Sequence, residues 1–502
     1  MDYAKEENNQ TYDFEGNQRT NTLLSDTSLE SPPDNPQTKS VSNRYEAVEV
    51  DDFNYRPIST MTKLEIQAEL EELKTKISQY RALMLMVSLN SGWSMYRANV
   101  ETFYLMDVLK VNGTVFNEFD ANTDIPWMVK PLWGFLSDSF FIFGYRLKSH
   151  IIAMSVLTIF SSVLLIFDPN PGYGMFTFVN MINSTATAYI DTMAEGMSAV
   201  ITKSFARVKA LEAVTSGNEN KEDDSMTAYG SYNAVRTFFR GLMAFIGGLL
   251  AQKTSLAVTG AILAFFPTIL LLYVLFVFKE ERNTVFFSGC DHFKKGFYFT
   301  FKALFYPTVI FPLLFNLLSD IPPGPAVYYF YMLLGQGGWT FDMFVLNGFI
   351  TSLLTAVILM WFVNAVKHIS FVNLQLYGFT LDAATVIAYS IILYCQDFSP
   401  LTFSVIWFAI NLLGGFGGDL RMASLVGRIS KYLPEGFEST GVTLIISSFS
   451  GVAVISRYIS APFLGQYHIG PGYYDRIKAP QIWAIISQIV FVVLSPLFLM
   501  WG

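Results

Sequence analysis

The chain has 502 residues, of which 52% are hydrophobic and 16% aromatic but only 15% charged, and its mean hydropathy is +0.37. Soluble proteins carry roughly a quarter charged residues, so this composition excludes an ordinary soluble domain and leaves room for about twelve membrane spans of ~20 residues. The net charge of −8 sits almost wholly in residues 1–60, where twelve acids face five bases, so it argues against nucleic acid and says nothing of an acidic substrate.

Residues 1–61 are poor in apolar side chains and rich in Asn, Ser, Thr, Pro and acids, a composition that reads as a disordered acidic cytoplasmic tail. No basic region followed by an apolar core marks a cleavable signal, so the first span is expected to direct its own insertion. From Thr62 a helical period begins: Ile66, Leu70, Leu73, Ile77 and Tyr80 share a face, Thr62 with Glu65 forms a capping box, and Glu72 with Lys76 makes a favourable pair. The spacing predicts an amphipathic helix over 62–81, lying along the membrane face.

Hydrophobic windows then place spans at 82–108, 117–141, 150–167, 173–199, 228–251, 256–278, 303–334, 341–364, 371–395, 400–427, 437–465 and 478–501. They group by six, with halves at 82–278 and 303–502 and a charged linker at 279–302 between them. The expected fold is an all-α membrane protein of about twelve transmembrane helices in two six-helix halves, the major facilitator architecture. Fourteen basic residues, Arg146, Lys203 and Arg428 among them, fall on the side of the N-terminus and four on the other. Both termini are therefore expected to be cytoplasmic.

Span 2 runs into an unusual stretch, Ile125 to Arg146. Lys130 interrupts an apolar run, Pro131 must bend its helix, and Gly134, Asp138, Gly144 and Arg146 follow. An ionisable residue inside a membrane is costly enough to imply a partner or a pathway, which makes Lys130 a site candidate. Pro126-Trp127, Lys130-Pro131, Gly134, Ser137-Asp138 and Gly144-Tyr145-Arg146 together resemble the signature of the folate–biopterin transporter family, of the type found in protists, within the major facilitator superfamily. That resemblance implies a cytoplasmic gate formed by Gly134, Asp138, Gly144 and Arg146. It continues in Asp191-Thr-Met-Ala-Glu195-Gly196, in Tyr328-Tyr-Phe-Tyr331 and in Pro434-Glu-Gly-Phe-Glu438-Ser-Thr440. The run departs from many relatives in having Leu147 where they carry a second basic residue.

Charges inside the other spans supply the remaining candidates. Asp191 and Glu195 lie four apart on span 4, Arg236 and Arg240 four apart on span 5, so acids and bases can meet across neighbouring helices. The pairing is either a permanent staple or an exchangeable contact for substrate or a proton. Arg97 and Glu101 form a local pair on span 1. Asp320 precedes Pro322-Pro323-Gly324-Pro325, where a regular helix cannot continue. Gly414-Gly-Phe-Gly-Gly418 on span 10 suggests close packing or a hinge, with Asp419 and Arg421 beside it, and Arg457 on span 11 is expected to pair with a carboxylate such as Asp419.

Two cysteines and four scattered histidines give no disulfide framework or metal-ligand spacing, and no metal or cofactor is expected. His150, His292 and His368 read as solvated near inner loops. No P-loop, nucleophile elbow or H-E-x-x-H motif occurs, so an enzyme is not expected. The resemblance implies a secondary transporter for folate or pterins, which works in the lipid bilayer; the plasma membrane is its expected location and protons its expected coupling ion. Tyr328, Tyr329 and Tyr331 would form an aromatic platform, and Arg97, Arg421 or Arg457 a carboxylate clamp. S-adenosylmethionine or another organic solute is the alternative cargo, and a transporter-like sensor or scaffold the alternative of another class.

Overall fold

A capping box starts the first helix. Glu65 N–H donates to Thr62 Oγ1 at 3.3 Å, and Thr62 N–H donates to the Glu65 carboxylate at 2.7 Å. Helix α1 (Lys63–Ser94) then continues without interruption into the first span. The computed structural model describes residues 58–111, 113–216, 227–251, 253–280, 304–319, 341–365, 371–394, 400–430 and 437–466, with single positions elsewhere, all within the unit Phe53–Gly502. The amphipathic segment is thus not a separate helix along the membrane face. Its Ile66, Leu73 and Ile77 are buried in one cluster with Val208 and Leu211 of the later helix α6 (Tyr173–Ser216), and Arg207 bonds Glu69 at 2.8 Å. Glu72 and Lys76 form no ion pair; it is Lys74 that reaches across to Glu212, at 2.9 Å. Residues 1–57 of the acidic tail fall outside the described residues.

Span 1 is completed by α2 (Tyr96–Phe103) and a π-helical turn at Tyr104–Val108. Span 2 is broken at Val129 into α3 (Gly113–Met128) and α4 (Lys130–Ser139). The break has a covalent cause, because Pro131 in the first turn of α4 has no N–H to donate backwards. The Pro126 carbonyl, left over by the break, accepts instead from the Trp133 indole at 3.0 Å. There follow α5 (Lys148–Phe167), α6 (Tyr173–Ser216), α7 (Thr227–Ala251) and α8 (Leu256–Phe276). The second half contributes α9 (Pro307–Ser319), α10 (Phe341–Ala365), α11 (Phe371–Tyr394), α12 (Pro400–Ser430) and α13 (Glu438–Gln466). The later part of span 7, with Asp320 and Tyr328 to Tyr331, and most of span 12 lie outside the described residues.

Burial is inverted relative to a soluble protein. Val156, Phe160, Phe265, Leu272, Met360 and Trp361 are exposed, whereas Lys130, Asp138, Asp191 and Glu195 are buried. That distribution suits a bundle whose solvent is lipid. Five described helices, among them α5 and α8, are long and apolar enough to cross a membrane. The halves meet along two seams: α7 packs on α10, and α13 packs on both α3 and α4. Gly134 of α4 and Gly196 of α6 make the second seam possible. A Cβ on Gly134 would lie 2.9 Å from the Ser439 carbonyl oxygen, and one on Gly196 would lie 2.8 Å from the Ser439 Cα.

Candidate functional site

Lys130 stands in the first turn of α4, where the helix dipole disfavours a cation, so acids from a neighbouring helix must hold it. Its Nζ donates to Glu195 Oε1 at 2.7 Å, lies 3.6 Å from Asp191 Oδ2, and sits 4.6 Å from the centre of the Trp127 ring. Arg236 of α7 approaches the same acids from the other side, at 2.6 Å from Asp191 Oδ2 and 3.5 Å from Glu195 Oε1. Two cations and two carboxylates from α4, α6 and α7 therefore close on one another as a neutral group. The Tyr232 hydroxyl donates to the remaining oxygen of Asp191, and Asn233 accepts from Arg236 at 2.8 Å. Asn233 also donates to Asp419 of α12 at 2.9 Å, which links the cluster to the second half. Arg240 does not join it. Its guanidinium reaches the Met95 sulfur at 3.9 Å.

A second constellation lies at the end of α4. The loop 140–147 turns tightly, with Gly144 in the left-handed region at φ 85°, where a side chain would be strained. The Glu280 carboxylate fixes the loop's far end by accepting from the N–H groups of Arg146, Leu147 and Lys148 at 2.8, 2.9 and 2.7 Å. Arg146 is thereby aimed at two acids, Asp138 at 2.6 Å and Glu438 at 3.1 Å. Burial works against the guanidinium's charge, but these two carboxylates more than offset it and raise its pKa above the usual value. Asp138 in turn accepts from both the N–H and the hydroxyl of Thr440, each at 2.8 Å. A carboxylate of α4 thus caps the first turn of α13 in the other half, where free amides and the helix dipole favour an anion. Lys203 completes the knot, 3.3 Å from Glu438 and 2.7 Å from the Leu433 carbonyl.

Farther along the α3–α13 seam, Arg457 pairs with Asp124 and donates to the Asp120 carbonyl at 3.5 Å. This corrects the expected pairing with Asp419, which faces Asn233 instead. Arg421 pairs with Asp382 of α11 and donates to Asn316 at 2.9 Å. Arg97 and Glu101 meet at 2.6 Å on their own helix. The three arginines expected as a carboxylate clamp, Arg97, Arg421 and Arg457, are all engaged by acids of the protein itself. His150 also differs from expectation. It is buried rather than solvated, held between the Phe140 carbonyl at 2.9 Å and the Tyr189 hydroxyl at 2.8 Å.

Sequence reasoning missed Glu438, Thr440 and Lys203 as partners of the loop, Glu280 as its anchor, and Asp124, Asp382, Trp127 and Tyr232. Asp120 and Asp124, four apart within span 2, carry the same intramembrane charge signal that singled out Asp191 and Glu195. The run Gly414 to Gly418 packs closely at least at Gly417, where a Cβ would lie 3.0 Å from the Gly378 carbonyl oxygen of α11.

The helix arrangement is that of the major facilitator class of membrane transport proteins. It aligns with the human organic anion transporter MFSD10 at a TM-score of 0.51 and 13% identity, over 86% of this chain and 98% of that one. With the nucleoside transporter NupG the TM-score is 0.53 at 14% identity, over 85% and 98% of the two chains. Within that class the sequence is more particular. A model of the BT1 family matches residues 92–501, and the chain belongs to that family. The resemblance to folate–biopterin transporters is borne out by curated relatives. Folate transporter 1 of Plasmodium falciparum (isolate 3D7) is 23% identical over 67% of this chain and 63% of its own length. Probable folate-biopterin transporter 2 of Arabidopsis thaliana is 33% identical over 22% of this chain and 21% of its own. The chain therefore matches less than two thirds of the length of either relative.

Proposed function

We propose that this multi-pass membrane protein is a secondary transporter that moves folate or related pterins by alternating access. One observation carries the reading: polar clasps join the halves at two separate levels of the same seam, and the buried charge cluster around Lys130 lies between Asp124 and Asp138 along the chain. Glu438 and Arg457 are nineteen residues apart on α13, on the order of 28 Å along a helix. That is close to the ~30 Å hydrocarbon thickness of a bilayer. Ion pairs at the two ends can be exchanged for water as one face opens, while the seam between them stays packed. Rocking of the halves about such a seam is the expected mechanism of this architecture.

The excess of basic residues beside Arg146 supports a cytoplasmic placement for that face and for both termini, and the plasma membrane is the proposed site of action. For proton coupling the candidate is Asp419. Asp191 and Glu195 are held by Lys130 and Arg236, whereas Asp419 receives one neutral amide from Asn233 and no ion pair among the described residues. An acid without a fixed cation can take up and release a proton at lower cost. Folate and pterin as cargo follow the names of the curated relatives. Uptake of labelled folate, biopterin and S-adenosylmethionine into proteoliposomes, with and without an inward proton gradient, tests the reading. Folate or biopterin uptake that the gradient accelerates is expected. Uptake of S-adenosylmethionine alone would replace the cargo, and absence of any uptake would favour a sensor or scaffold built on the same fold.

A further inference from the structure

Arg240, inside span 5, has no carboxylate within ion-pair distance among the described residues. Arg97, Arg236, Arg421 and Arg457 are each paired with an acid. Arg240 lies one turn beyond Arg236 on α7 and borders a cavity of about 310 Å³ at the α7–α10 seam. Met95 and Asn99 of α2 and its approach, Thr237 of α7, and Phe349 and Ser352 of α10 line it with Arg240. Among the described residues no acid lines it. Asn99 spends its amide N–H on the Ala244 carbonyl at 2.7 Å, and Phe349 is supported by stacking on Phe245 at 4.8 Å. The cavity thus offers one cation, hydroxyl and amide groups, a thioether and an aromatic face, drawn from both halves.

Asp191, Asp419 and Asp124 act on this guanidinium only from beyond ion-pair distance, and a half-buried cation without an acid in contact is expensive in a membrane, so an anion that enters the cavity lowers that cost. The fork of a guanidinium matches a carboxylate through two parallel hydrogen bonds. The volume is at the lower end of small-molecule sites, enough for the acidic end of an organic solute beside its ring. We propose that Arg240, and not Arg97, Arg421 or Arg457, binds the carboxylate of the transported solute, in the cavity between α2, α7 and α10. The site therefore selects organic carboxylates over neutral pterins. Because the wall is shared between halves, an anion held there also joins α7 to α10. The inference rests on the transporter reading and narrows its cargo.

The test uses the full chain in nanodiscs of phosphatidylcholine alone, so that no anionic lipid competes, titrated with folate and with biopterin. Wild type is expected to bind folate the more tightly. Arg240→Gln should weaken folate roughly tenfold to a hundredfold, the loss of a charge-assisted hydrogen bond, and leave biopterin within about threefold. Gly348 also lines the cavity, and a Cβ there meets nothing within 4 Å, so Gly348→Leu should fill the space without distorting α10 and weaken folate while the charge remains. If Arg240→Gln does not fold, Gly348→Leu decides alone. Folate binding unchanged in either folded variant overturns the assignment, as does an equal loss of both ligands in Arg240→Gln. No folate binding by wild type overturns it too, and uptake of biopterin or S-adenosylmethionine by the same protein reconstituted into sealed phosphatidylcholine liposomes would then leave the transporter reading standing.

Discussion

Lys130, Glu195, Asp191 and Arg236 are mutually dependent because all four charges are buried together. Removing one member leaves an unbalanced charge in a medium that solvates it poorly, and the cost of such a loss is about 3–5 kcal/mol. Lys130→Met should therefore lower the melting temperature of the detergent-purified protein sharply. Since Lys130 bonds Glu195 at 2.7 Å, Lys130→Met with Glu195→Gln should regain much of that loss. Thermal unfolding followed by tryptophan fluorescence reads both. Uptake by the double variant separates the two roles: recovery of stability with uptake marks a staple, and recovery without uptake marks an exchangeable contact. Additive losses would show that the two groups do not act together.

At the scale of elements, the approach of α13 to α4 and α6 depends on two glycines that face the same serine. Gly134→Ala places a methyl group within 2.9 Å of the Ser439 backbone, which cannot move aside as a flexible side chain would. It should push α13 away from α4 and weaken the contact of Asp138 with Thr440, so that the Arg146 face opens more often. Faster alkylation of a cysteine introduced at Thr440, in a chain whose Cys290 and Cys395 are replaced by serine, is the expected result. An unchanged rate would mean that the seam yields elsewhere. The glycines also show where the sequence is informative. The break and the capping box are legible because their causes are local: Pro131 lacks a donor, and Thr62 and Glu65 are three apart. The acids and bases of the spans were legible because a membrane makes every charge costly. Their partners were only half legible. Spacing along one helix predicts Arg97 with Glu101, and adjacent helices suggest Asp191 with Arg236. Nothing local joins Arg457 to Asp124 or Asp138 to Thr440, since those contacts exist only once the two halves have docked. The 62–81 helix was misplaced for a related reason. Its apolar face suits a membrane surface as well as it suits α6, and the sequence does not choose between them.

For the whole molecule, the two clasps make opposite demands. The Asp138, Arg146, Glu438 and Thr440 contacts hold one end of the seam and Asp124 with Arg457 holds the other, so weakening either should bias the halves towards opening at that end. In a rigid-body exchange the opposite end must then close or remain closed. Spin labels at Phe143 and Val372, both exposed and on opposite halves, report the Arg146 face, and labels at Lys253 and Met343 report the other. Asp138→Asn should shift the first distance distribution to longer values and leave the second unchanged or shorter. Asp124→Asn should do the reverse. A population shift needs only a modest differential energy, since 1.4 kcal/mol changes the ratio of two states about tenfold, well within what loss of one partly buried ion pair supplies. Folate added to either variant should draw both distributions towards their closed values, because a solute bound between α7 and α10 favours the state in which the halves meet around it. If either substitution lengthens both distances, the clasps hold the bundle together rather than gate it. If neither distance responds while uptake falls, the acids act at a step other than the exchange of faces.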